Sequence, residues 1–311
     1  MLGFVLRRFS VAIPTILVII TVAFFMMRVA PGGPFDLERP MPEETRQVIL
    51  ASYGLDKPLI FQYFDYMGNL FQGDLGPSLK LRDKNVAEII AEGFPVSATI
   101  GLFSMLLAIG LGSLLGSIAA LRQNSGTDFS VMTFAMVGIS IPPFVMGPIL
   151  ALVFGLYLGL VPTGGLDPRY GMTPDRLILP VITLALPQIA IIARLMRASM
   201  IEVVRSNYIR TARAKGLSAP AVIIRHALRS AILPLVSYLG PASAAVISGS
   251  LVIERVFQLP GIGKHFVDAA LQRDYTVVMG VVIVYATLII VLNLLADLLY
   301  GVLNPKVKYE S

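Results

Sequence analysis

The sequence predicts an all-α membrane protein with about six transmembrane helices. Three observations predict it. Of the 311 residues, 56% are hydrophobic and only 14% charged, where a soluble chain carries roughly a quarter charged residues, and the mean hydropathy is +0.77. Charge-free windows long enough to cross a bilayer recur along the chain. The basic residues then sort to one side of those windows. There is no cysteine and no tryptophan, so disulfides and thiolate metal sites are excluded.

A helix needs about 20 residues to cross roughly 30 Å of hydrocarbon. Arg8 to Arg28 encloses the first window, with 19 uncharged residues. Its start resembles a signal peptide behind Arg7 and Arg8, but Arg28 stands where a cleavage site needs a small residue, so it reads as an uncleaved signal-anchor over 1–30. The segment 31–95 is too long for a simple connector. Pro42 followed by Glu43 and Glu44 opens a helix there, Gly54 suits its C-terminal cap, and Asn85 with Glu88 has capping-box spacing. Tyr63, Phe64, Tyr66 and Phe71 form an aromatic cluster suited to a membrane interface. This external segment serves either as a cap packed on the spans or as a partner contact.

Residues 96–311 hold the other five spans. Glu92 to Arg122 encloses 29 uncharged residues, including Gly112-x-x-x-Gly116, whose small residues let helices approach closely. Asp128 to Asp167 encloses 38, enough for one span plus a loop or for two short segments, and the sequence Ile-Pro-Pro-Phe at 141–144 is read as a kink in preference to a division. Arg176 to Arg194 encloses 17, the shortest window. Arg229 to Glu254 encloses 24, with Gly240-Pro241 expected to kink the helix and a thin serine and alanine face that suits either a solute pathway or ordinary packing. Asp274 to Asp297 encloses 22. No internal repeat is evident, which argues against a transporter built from two inverted halves.

Six spans put both termini on one side. With a cytoplasmic N-terminus, the inside segments hold 13 basic residues against three acids (Asp128, Glu202, Glu310), and the outside segments hold 12 basic against 15 acidic. Lys306 and Lys308 belong to the inside set. The positive-inside rule therefore selects cytoplasmic termini.

From Arg194 to Arg229 the chain carries eight basic residues and one acid. Met196, Met200, Val203, Val204 and Tyr208 follow helical spacing, with Arg194, Arg197, Arg205, Arg210 and Arg213 largely off that face. Gly216 should stop this helix and Ser218 cap a second one, with Pro220 tolerated in its first turn. Topology and anionic lipid explain the sign of the charge. They do not explain Ala212, Ala214, Gly216, Leu217 and Ala219, which are small or apolar where a solvated loop is polar. That pattern points to docking into another protein. Nucleic acid is set aside, because a basic patch alone supplies no base-reading fold.

The stretch Tyr-Ile-Arg-Thr-Ala-Arg-Ala-Lys-Gly-Leu from Tyr208, followed by Arg-His-Ala-Leu-Arg-Ser-Ala-Ile-Leu-Pro to Pro234, resembles the EAA loop of ABC importer permeases of the peptide and nickel branch. Arg210, Thr211 and Ala212 fill the Glu-Ala-Ala positions, of which the last matches; Gly216 and Leu233-Pro234 also match. Phe24 to Phe35, Gly73 to Ser78, Phe94 to Ala98, Val252 to Phe266 and Arg273 to Gly280 are similar to the first permease subunit of oligopeptide importers, as is the short loop at about 158–177. The resemblance implies a type I importer permease fold in a bacterial inner membrane. It implies pairing with a homologous second permease, two ATP-binding cassette subunits that hold ATP and magnesium, and an extracytoplasmic peptide-binding protein. It places ATPase coupling at Arg210, Ala212, Arg213, Lys215, Gly216 and Leu217, with Arg210 and Arg213 facing either acids of the ATPase or lipid and water. Ser140, Ser243 and Ser248 are pathway candidates. A related permease for dipeptides, nickel, glutathione or haem is the nearest alternative.

The chain itself shows no catalytic constellation and no cofactor or metal site. Gly-Ile-Gly-Lys at 261–264 lacks phosphate-loop spacing, and His265 follows the lysine; it reads as a turn in an external segment that helps gate the pathway. A proton-coupled secondary transporter needs buried carboxylates. Asp297 alone lies within a span, near its end, where a local hydrogen bond is expected; His226 reads as structural.

Overall fold

A computed structural model describes residues 2–29, 32–35, 42–81 and 83–303, with side chains from Ser10 onward. The side chains of Arg7 and Arg8, and the whole of Lys306, Lys308 and Glu310, lie outside the described residues. The described residues form two compact units, one from 96–259 with 289–303, the other from those within 2–95 with 260–288.

In the second unit, α1 (Leu2–Val29) is followed by two shorter helices, α2 (Glu43–Ser52) and α3 (Leu59–Phe71). The expected helix after Pro42 is α2, with Glu43 and Glu44 in its first turn, and Gly54 follows its end with φ +64°. The aromatic cluster divides. Tyr63 and Tyr66 pack on Phe24 of α1, while Phe64 and Phe71 stay exposed. α4 (Val86–Leu121) begins where the Asn85 amide donates to the Glu88 carboxylate, half of the reciprocal capping pair. The Gly-Ile-Gly-Lys turn opens α12 (Ile262–Gln272), with Gly261 at its N-cap. A side chain at Gly93 would lie 2.8 Å from the Ile262 backbone nitrogen, so this approach requires glycine. α13 (Tyr275–Leu303) follows.

The first unit is built around α7 (Pro174–Val204), on which α5 (Gly126–Ser140), α6 (Pro143–Leu150) and α11 (Leu233–Val256) all pack. Added Cβ atoms would meet Ile192 at 2.7 Å from Gly112 and the Ala193 carbonyl at 2.3 Å from Gly116. The glycine pair therefore brings α4 against α7, as the spacing predicts.

Two expectations are corrected. The shortest charge-free window becomes the 31-residue α7, because the window was bounded by arginines that lie inside the helix. Arg197 can stay there because Asp128 neutralises it. The Ile-Pro-Pro-Phe kink is a break. Among the described residues, five helices are long and apolar enough to cross a membrane, and the count reaches six where the pair Gly126–Ser140 and Pro143–Tyr157, bent by 103°, is taken as one broken span. Ile141 is extended, as a residue before proline prefers, and Pro143 restarts the helix at its first position. A π-helical stretch, Ala151–Tyr157, completes this bent pair. Pro241 lies inside α11, which runs unbroken from 233 to 256.

Candidate functional site

The basic hairpin is four short helical pieces between α7 and α11. α7 ends at Val204, where Arg205 and Ser206 turn the chain and the Ser206 hydroxyl donates to the Val203 carbonyl at 2.6 Å. α8 (Asn207–Ala214) follows. Residues 194–204 thus belong to the spanning helix, and the helix that Gly216 stops is α8. The Gly216 amide donates to the Arg213 carbonyl at 2.9 Å, with φ at +81° and open space around its Cα. Gly216 is required here by its left-handed backbone, not by crowding. The return limb runs through α9 (Ala219–Ala221), a π-helical turn (Val222–Ala227) and α10 (Leu228–Ala231). Ser218 stands at the N-cap position, but its side chain makes no cap bond; the Val222 amide reaches its backbone carbonyl at 3.0 Å.

α8 presents two faces. Ile209, fully buried, and Ala212 sink into a cluster with Met196 and Met200 of α7, Val222, Ala227 and Ala231 of the return limb, and Leu235 of α11. Arg210, Arg213, Lys215, Gly216 and Leu217 are exposed. Five of the six expected coupling residues therefore form one exposed tip. Ala212 differs from the other five: its methyl packs into the chain's own core, 7% exposed. Ile209 is the anchor that pattern reading missed; its spacing of three from Ala212 on the short helix was the available signal.

A second feature joins the hairpin's base to α5. Asp128, 2% exposed, takes two hydrogen bonds at 2.6 Å from the Arg197 guanidinium, through Nε and Nη2. The Asn124 amide also donates to this carboxylate, at 2.9 Å. Such a fork-to-fork pair fixes orientation as well as distance. Arg205, at the hairpin's entry, donates to the Gln123 side chain at 2.8 Å. Asp128 was counted in the sequence only as an inside acid; its lone position opposite an arginine-bearing helix was the signal.

The second unit holds a separate clasp made from three of the quoted motif segments. Asp274, 2% exposed, accepts from the Ser78 hydroxyl, from the Leu79 and Lys80 amides at 3.2 and 3.3 Å, from the Thr276 hydroxyl at 2.9 Å and from the Val277 amide at 3.3 Å. The Tyr275 hydroxyl donates to the Gly32 carbonyl at 2.7 Å. Nearby on α12, burial and the Lys264 charge push His265 below the usual imidazole range, with Glu92 opposing them.

The pathway serines are not gathered into one site. Ser140 ends α5 and donates to the Met136 carbonyl; Ser243 on α11 donates to the Leu239 carbonyl. Ser248 is exposed on α11. A cavity of about 480 Å³ beside the bent pair is lined by apolar residues such as Phe134, Met146, Ile182 and Leu186, and offers a peptide backbone no side-chain partner.

With this hairpin and helix order in view, comparison with known proteins is decisive. Residues 112–309 match the family described as the binding-protein-dependent transport system inner membrane component, and residues 1–101 match its N-terminal counterpart. The chain belongs to this family. Oligopeptide transport system permease protein OppB of Salmonella typhimurium is 49% identical and that of Haemophilus influenzae 48%, each across 99% of this chain and 100% of the relative. Dipeptide transport system permease protein DppB of Bacillus subtilis is 42% identical across 100% of this chain and 99% of the relative. A structure titled as inward-facing MetNI methionine ABC transporter aligns with TM-score 0.55 at 17% identity, over 70% of this chain and 94% of that one, a likeness of fold. The protein is thus a transmembrane permease subunit of an ABC importer, with the type I permease fold that its sequence motifs resemble.

Proposed function

We propose that this permease forms half of the translocation pathway of an ATP-driven oligopeptide importer. Identity to the oligopeptide permeases exceeds that to the dipeptide permease, 48–49% against 42%, which favours the oligopeptide reading. Its partners are a homologous second permease, two ATP-binding cassette subunits that bind ATP and magnesium, and an extracytoplasmic binding protein. The permease lies in a bacterial inner membrane with both termini cytoplasmic, so the hairpin tip faces the ATPases and the 31–95 segment faces outward. Residues 1–30 act as the signal-anchor and 96–311 as the permease core, whose coupling loop, expected at 194–229, narrows to 205–229 because 194–204 continue α7.

The observation that carries the mechanism is the division of α8 into a buried anchor and an exposed tip. A push on Lys215, Gly216 and Leu217 cannot be absorbed locally, because Ile209 and Ala212 are locked between α7 and the start of α11. The displacement passes into α7, and the Asp128–Arg197 fork carries it into α5. The spans then reorient as packed bodies. ATP chemistry stays on the partner chains, and this subunit transmits motion.

Gly216→Trp is an ambiguous test, since a side chain at φ +81° is strained wherever it lies. Leu217→Trp leaves that backbone intact. The expected result is normal membrane insertion and loss of ATP-dependent peptide uptake. Normal uptake by the stably inserted variant would count against coupling at this tip. Uptake driven by a proton gradient in the purified chain alone would favour a secondary transporter instead.

A further inference from the structure

We propose that α3 is an interfacial membrane helix, whose outward aromatic ridge lies among lipid acyl chains at the headgroup boundary of the leaflet that α1 enters at its C-terminal end. This rests on α1 being a span and not on the coupling mechanism. The helix divides into three sectors at 100° per residue. Tyr63, Tyr66, Met67 and Leu70 pack with Ile20 and Phe24 of α1. Gln62, Asp65 and Asn69 fall on a polar sector; Gln62 takes a hydrogen bond from Arg28 at 2.8 Å and Asp65 pairs with the exposed Lys57. Ile60, Phe61, Phe64, Gly68 and Phe71 fill the remaining sector of about 100°, and its large side chains are 49%, 59%, 62% and 78% exposed.

Depth decides what meets that ridge. The apolar window of α1 runs from Ser10 to Val29. Tyr63 shares a hydrogen bond with Thr21 at 2.8 Å, eight residues before the end of that window. At 1.5 Å per residue this point lies about 12 Å along the helix below Val29. Arg28, against Gln62, marks the upper edge. α3 therefore sits beside the last two turns of a spanning helix, with its long Tyr63 side chain reaching slightly below the roughly 5–10 Å depth that interfacial helices occupy. Two large apolar sectors on a 13-residue helix are unnecessary for packing on α1 alone. Their arrangement, with a charged pair on the third sector, suits an acyl boundary below and water above. Aromatic side chains favour that boundary.

The absence of cysteine from the chain permits a direct test. Phe64→Cys, Phe71→Cys and the loop control Asp56→Cys are each labelled with a nitroxide. The complete transporter is reconstituted in phosphatidylcholine–phosphatidylglycerol liposomes, and the signal from complexes with the cysteine-free chain is subtracted. Retained peptide uptake reports folding, and two independent exposed positions guard against one misbehaving. Labels at 64 and 71 should collide with oxygen severalfold more, and with a water-soluble nickel chelate severalfold less, than the label at 56. Nickel collision equal to that at 56 overturns the proposal in favour of an aqueous face. Protection from both probes overturns it in favour of a face covered by protein.

Discussion

α7 and α1 are both long apolar helices, yet they are held in different ways. In α7, 56% of the apolar window is buried within the chain; in α1, 11% is. α7 is tied to three neighbours by side-chain hydrogen bonds: Ser104 of α4 donates to the Val181 carbonyl at 3.1 Å, Arg197 to Asp128 of α5, and the Tyr238 hydroxyl of α11 to the Gln188 amide oxygen at 3.0 Å. α1 is tied through Thr21 and Arg28 to α3. In lipid, apolar burial between helices gives little drive, and close packing with polar ties takes its place. The difference shows that α7, which leads into the exposed hairpin tip, is the more constrained of the two helices, as the proposed transmission of displacement requires.

Substitutions sharpen this contrast in order of size. Asp128→Ala strands the Arg197 guanidinium and should cost about 3–5 kcal/mol, read as loss of thermal stability of the purified complex; exchanging the two charges should recover part of it. Gly116→Ala forces a methyl against the Ala193 carbonyl and should cost about 1–3 kcal/mol, with α4–α7 crosslinks weakened first. Tyr63→Phe removes the bond to Thr21 and should cost about 1 kcal/mol, leaving uptake intact. Val22→Ala, on the exposed side of α1, should change stability by less than about 0.5 kcal/mol. Equal losses at Gly116 and Val22 would erase the distinction between the two helices.

Much of this was legible in the sequence, because periodicity and charge report local requirements. The helix after Pro42, the glycine contact on α4, the stop at Gly216 and the basic tip all follow from single segments. What stayed hidden depends on contacts between distant segments. Arg194, with Arg197 after it, bounded the window because a charge inside a span is costly; the Asp128 partner of Arg197, 69 residues away, appears only in the folded chain. Ser78, Gly32 and the adjacent Asp274 and Tyr275 stood in three separate motifs, and only the folded chain shows them sharing one clasp. Ala212 matched a family position, and only the folded chain shows its small side chain packed in the cluster with Met196 and Met200 of α7. The bend at Pro142 was visible as a pair of prolines, but its angle is set by the helices that receive α5 and α6.

The account stands on the tip around Gly216 as the entry point for force. Its most direct test is disulfide crosslinking of Leu217→Cys to single cysteines placed along the docking groove of the ATPase subunit, followed through turnover. The account predicts that the crosslink forms in the assembled transporter and, once formed, stops uptake, with reduction restoring it. Efficient uptake while the crosslink stays absent at every groove position, with Leu217→Cys open to an impermeant thiol reagent on the outer face, would contradict it.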